Sequence, residues 1–115
     1  MIRLLARLLG KATPEAPDEF GRSGKWPRVR AEHIRREPEC VACGRSDELE
    51  VHHIQPYHEK PELELDSGNL ITLCADPCHF VHGHAMNWQW SVPSVREDCV
   101  AYRRRLKAAR MTAGK

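Results

Sequence analysis

Four of the five cysteines and six of the seven histidines of this chain lie between Cys40 and His84. The cysteines form two knuckles, Cys40-x2-Cys43 and Cys74-x3-Cys78, with His52-His53 and Asn69 between them and His79, His82 and His84 after them. Short-spaced pairs brought together from distant parts of a chain are the usual way to build a closed tetrahedral thiolate site, so Cys40, Cys43, Cys74 and Cys78 are candidate ligands of a structural Zn2+. Two disulfides would use the same thiols, but they need an oxidising compartment, and nothing in the sequence points to export. The histidines offer a second chemistry. Neutral imidazole binds transition metals, and its pKa near neutrality suits it to accept a proton during a reaction.

The elements that must position these groups follow from pattern. A chain of 115 residues with 41% hydrophobic and 30% charged content reads as one small soluble domain. Three Trp, two Tyr and two Phe leave little aromatic mass to bury, so a metal tying segments together would supply folding free energy that the core cannot. Residues 1–9 read as a short amphipathic basic helix (1–10 with its boundary), with Arg7 and the lack of a small-residue cleavage site against a signal peptide. No apolar run approaches a membrane span, and a cytoplasmic location is expected. Residues 11–25 read as a linker, 26–110 as the ordered domain and 111–115 as a frayed tail.

Within the domain, Pro27 fits a first helical turn that Ser23 or Gly24 could cap, and Pro38 ends the segment, so 26–37 should be a helix with His33 on its packing face. Gly44 suits the sharp turn of the first knuckle. Residues 49–54 and 70–74 read as antiparallel strands joined by a loop over 57–68. Alternation would send His52 and His53 to opposite faces, so both can serve one site only if the strand ends there, which Pro56 favours. Asp76 as cap and Pro77 as first-turn residue should start a helix carrying Cys78, His79 and His82. Residues 87–93 form a connector whose Trp88 and Trp90 are expected to cover the core, with base or sugar contact as the lesser alternative. Ser94 and Glu97 form a capping box opening a helix to Arg110, with Val95, Cys99, Tyr102 and Leu106 on its buried stripe and Cys99 as an inert thiol.

Charge is unevenly distributed. Residues 1–30 carry seven basic against three acidic side chains, 31–94 four against eleven, and 95–115 seven against two. Basic arms around an acidic, metal-binding middle would suit a polyanion partner, with Arg28, Arg30, Arg103, Arg104, Arg105 and Lys107 as candidate phosphate contacts.

In order, Val51-His52-His53-Ile54-Gln55-Pro56, Asn69-Leu70-Ile71-Thr72-Leu73-Cys74 and Cys78-His79, with one cysteine pair before and one around the final motif, resemble the HNH endonuclease family in its cysteine-bearing branch. Pro61-Glu62-Leu63-Glu64-Leu65, Gly83-His84 and Asn87-Trp88 are similar to small phage-associated and bacterial members. The resemblance implies an α+β fold: a ββα-metal unit held by a four-cysteine zinc site and flanked by helices. It implies hydrolysis of phosphodiesters in DNA, expected to be double-stranded, with His53 as general base and Asn69 orienting it. His52 and His79 would bind one divalent cation, Mg2+, Mn2+, Ni2+ or Zn2+. The third ligand is His84 or His82: His82 shares the helical face of His79, but Gly83 can end the helix and free His84 to turn back, and His84 is preferred. The competing reading is a non-catalytic zinc-stabilised nucleic-acid-binding module, which would keep the cysteines but has no need of His52, His53, Asn69 and His79 together.

Overall fold

In the computed structural model, residues 22–113 are described, so the helix expected over 1–10, most of the linker and the end of the tail lie outside the described residues. The chain runs through α1 (Trp26–Arg36), β1 (Leu49–His53), β2 (Leu70–Cys74), a single π-helical turn (His79–Gly83) and α2 (Val95–Ala113). Pro27 stands in the first turn of α1, where its missing N–H costs nothing. Ser23 organises the entry without being the cap residue: its carbonyl accepts from the Trp26 N–H (3.1 Å) and its hydroxyl from the Lys25 N–H (3.1 Å). The described part therefore begins inside the stretch that composition marks as linker, and Glu64 holds it, accepting from Arg22 Nε at 3.0 Å and from the Ser23 N–H at 3.1 Å.

β1 and β2 pair antiparallel, with Val51 opposite Thr72 and His53 opposite Leu70. β2 is buried along its whole length. An uncovered strand edge would leave polar groups without partners, and here three segments close it. The Thr72 N–H donates to the Glu37 carboxylate at 2.8 Å and the Val41 N–H to the Thr72 carbonyl at 3.0 Å. The Arg96 guanidinium donates to the Leu70 carbonyl at 2.9 Å and pairs with Glu37 at 2.7 Å. The end of α1, the first knuckle and the start of α2 thus converge on one strand edge. His33 is buried in this region with Nε2 3.0 Å from the Glu37 carboxylate, which is a packing role.

The buried cluster comprises Cys40, Ala42, Ile71, Leu73, Cys74, Cys78, Val95 and Cys99. Half of these residues are cysteines, so the core and the thiolate site occupy the same place.

Three local expectations are corrected. The helix foreseen from Asp76 and Pro77 is instead one wide turn over His79–Gly83, with Cys78 rather than Asp76 at its N-cap position. Cys78 must face the other thiols while His79 faces β1, and a turn of i→i+5 type brings residues five apart to the same side. Ser94 donates to the carboxylate of Asp98 (2.9 Å), one residue beyond the Glu97 that the capping-box spacing marks. Trp88 and Trp90 are each 60% exposed; from this region it is Val95 that is buried in the core, with Val92 packed against it. Along α2, Val95 and Cys99 are fully buried while Tyr102 reaches the surface, as the stripe runs off the end of the small core. No helix among the described residues is long and apolar enough to cross a membrane.

Candidate active site

The first knuckle turns at Gly44, whose φ of +82° favours glycine, and a Cβ there would lie 2.9 Å from the Arg103 guanidinium. The second knuckle follows directly from β2. Together they bring the sulfurs of Cys40, Cys43, Cys74 and Cys78 within 4.8 Å of one another, with all thiols free and Cys43 Sγ 3.9 Å from Cys74 Sγ. Sulfurs bound tetrahedrally at about 2.3 Å lie roughly 3.8 Å apart, so the four side chains are placed to hold a metal. Without one, four thiols this close cannot all ionise. Burial pushes up the Cys78 and Cys74 thiols. Burial would raise Cys40 as well, but N–H groups of Cys43, Cys74 and Ala42 aimed at its sulfur outweigh this and lower it. A bound cation would deprotonate the set.

The second cluster is built from two elements. His52 comes from β1, and His79 and His84, five residues apart, from the start and just past the end of the π-helical turn. Their inward atoms are close: His52 Nδ1 lies 3.0 Å from His79 Nε2, and His84 Nε2 lies 3.2 Å from that same atom. The outer nitrogens decide the tautomers. His79 Nδ1 donates to the Glu50 carboxylate, and His84 Nδ1 donates to the Trp90 carbonyl at 2.8 Å. Each Nδ1 therefore carries the proton, and each Nε2 turns a bare lone pair toward the other. Lone pairs so placed repel unless a cation or proton lies among them. Ligands at about 2.1 Å from one ion lie roughly 3.0–3.4 Å apart for octahedral to tetrahedral angles, which matches the observed spacing. His52 stays neutral: burial, then the neighbouring His79 and His84, push its pKa down to about 3. Burial likewise lowers His79, though the Glu50 bond opposes it.

Space for this arrangement comes from Gly83, buried against the cluster, where a Cβ would lie 3.2–3.3 Å from atoms of His79 and His52. His82 stands apart from the three histidines, its ring 4.8 Å from that of Tyr102.

His53 lines the same cavity as His52, His79 and His84, an open space of about 490 Å³ that Arg22, Pro56, Tyr57 and His58 also border. Its Nε2 donates to the Glu64 carbonyl (2.9 Å), leaving Nδ1 as the acceptor, and the Trp26 ring packs on it at 4.4 Å between centroids. Burial lowers its pKa from 6.5, against the opposing effect of the Glu64 carbonyl. Asn69 does not reach the imidazole. Its amide oxygen accepts from the Gln55 N–H (2.8 Å), and its amide hydrogens go to the carbonyls of Gln55 (3.0 Å) and Leu63 (3.2 Å). It clamps the segment after β1 to the loop carrying Glu64, and so acts on His53 at one remove.

The family model for HNH endonuclease matches residues 40–84. This stretch is an HNH domain. The match spans both knuckles and ends at His84, so every cysteine and histidine of the two clusters falls inside it. No curated protein and no solved structure matches the chain.

The basic candidates flank the HNH domain on different sides. Arg103, Arg104 and Lys107 border a second cavity of about 490 Å³ with Arg36, Arg96, Glu37 and Glu39, away from the histidines. Arg103 is engaged by Glu39 at 3.1 Å. Arg30 donates to the Leu49 carbonyl at 3.2 Å, and Arg28 and Arg105 are exposed on α1 and α2. Sequence reasoning missed Glu50, Glu64, Arg22 and the packing role of Gly83. Glu50 was findable, since it lies two residues before His52 and shares its strand face. The others depend on long-range folding.

Proposed function

We propose that this protein is a metal-dependent endonuclease that hydrolyses phosphodiester bonds in DNA, with a structural Zn2+ in the four-cysteine site. The observation that carries this reading is the pair of bare Nε2 lone pairs of His79 and His84 converging beside His52, in the cavity that His53 also lines. A divalent cation bound by these three histidines would supply charge stabilisation to the phosphoryl oxygens and the leaving 3′ oxygen. His53 takes the proton from the attacking water through Nδ1. Support for that role comes from its depressed pKa, which keeps it neutral at pH 7, and from the Glu64 carbonyl, which fixes the tautomer. Asn69 holds the Glu64 loop in register, and Glu50 holds His79. Arg104 and Lys107 are proposed to contact phosphates outside the reacting centre.

The test is cleavage of supercoiled plasmid by purified protein in Mg2+, Mn2+, Ni2+ and Zn2+, with a chelator control. Metal-dependent conversion to nicked or linear DNA is expected and should disappear in His53→Ala. Binding without cutting in every metal would replace this reading with the non-catalytic binding module.

A further inference from the structure

The segment after the π-helical turn places the exposed Trp88 ring beside the histidine cluster, with Trp90 two residues on. The Trp88 ring lies 4.8 Å from that of His84 and 5.5 Å from that of His79, yet 60% of the residue remains exposed. Trp90 is equally exposed, and its carbonyl is the group that fixes the His84 tautomer. Met86, at 67%, joins them. Three large apolar side chains this exposed within one short segment, one of them against the histidine cluster, suit a binding surface. The segment is also held in shape: Ala85 and Met86 both take left-handed backbone at φ 51° and 64°. The Asn87 N–H returns to the His84 carbonyl at 2.9 Å, and the Asn87 side chain accepts from the Gln89 N–H at 3.0 Å. Strain in non-glycine residues survives where surrounding structure demands it, most often at functional sites.

We propose that Trp88 and Trp90 form a stacking platform for an unstacked nucleobase next to the scissile phosphate, so that the preferred substrate is single-stranded or locally unpaired DNA. This rests on the endonuclease reading above. With the scissile phosphate at the histidine cluster, the adjoining nucleotide falls on the rim where Trp88 stands. Inside a duplex the π-face of a base is covered by its neighbours, so a tryptophan can meet it only after unstacking. Aromatic stacking is tolerant of sequence, and the platform accordingly predicts a preference for strand state over base identity.

Binding is measured by fluorescence anisotropy with a labelled single-stranded DNA oligonucleotide and with its duplex, in Mn2+ and in a His53→Ala background. Trp88→Ala and Trp90→Ala should each weaken single-strand binding about 5- to 150-fold, with less effect on the duplex and recovery in Trp88→Phe. Trp90→Ala is the cleaner variant, because alanine retains the carbonyl that His84 needs. Mn2+ titration by calorimetry identifies any loss that comes through the cluster. Unchanged single-strand affinity in Trp90→Ala, a Trp88→Ala loss matched by lost Mn2+, or a shift in oligomeric state with DNA affinity retained each overturns the platform while leaving the nuclease reading intact. A parent protein that neither binds nor cuts DNA overturns the nuclease reading, and the platform with it.

Discussion

His52 and His53 are neighbours in sequence and separate in chemistry, because β1 ends at His53 and turns the two rings to different partners. His52 meets His79 and His84, whereas His53 meets Trp26 and the Glu64 carbonyl. Under the proposed mechanism, His53→Ala should lower the cleavage rate by about 10²–10⁴ with calorimetric metal affinity unchanged, since general-base catalysis acts in the transition state. His52→Ala should lower metal affinity, and its activity should partly return at high metal concentration. The outer bonds matter as well. Glu50→Ala removes the acceptor that holds the His79 tautomer and should cost about 10–100-fold in metal affinity. The contrast between His84→Ala, expected to weaken the ion, and His82→Ala, expected to leave it, is read in the same titration.

At the scale of elements, the π-helical turn and the edge of β2 carry the design. The turn places His79 and His84 on one side and packs Gly83 beneath them, so Gly83→Ala should keep the fold yet weaken metal binding by crowding His52 and His79. The β2 edge depends on Glu37, which accepts from the Thr72 N–H and pairs with Arg96. Burial alone would raise the Glu37 carboxyl, but the Arg96 and Thr72 hydrogen bonds and the Arg96 charge outweigh it and hold the pKa below 4.5. A carboxyl depressed on folding contributes its full stability above the unfolded value and loses it as pH falls through the folded one. Glu37→Gln should therefore destabilise the protein by about 1–3 kcal/mol at pH 7 in denaturant unfolding. That difference should shrink below pH 4.5; a difference constant with pH would show that the Glu37 charge contributes nothing.

For the whole molecule, stability and metal are one question, because half of the buried cluster consists of cysteines, three of them ligand candidates. Removing the proposed structural Zn2+ should leave a core too small to fold, and Cys74→Ser should behave like chelated parent, with lost helical circular dichroism and no cooperative melting. Cys99, fully buried and pushed up to about 12 by burial, should stay unreactive toward thiol reagents until the protein unfolds. Under the proposed function, Arg104→Ala with Lys107→Ala should lower the slope of log affinity for DNA against log salt by roughly one per lost phosphate contact.

Much of this was legible in the chain as written. Knuckle spacing marks four thiols as one set, because a metal demands that number and the turns can supply it. Runs of apolar and β-branched residues mark two strands, and Pro27, Pro38 and Gly44 punctuate the elements around them through their own backbone limits. Three things waited for tertiary structure. The turn carrying His79 and His84 is π-helical because thiols and histidines pull neighbouring residues to different sites, a conflict that local propensity does not contain. Glu37, Glu64 and Arg96 act on segments far away in sequence, so their partners exist only after folding. Trp88 and Trp90 look like core by composition, but Val92 and Val95 are the residues of this region that pack on the core, and the Trp88 ring stands at the rim of the histidine cluster.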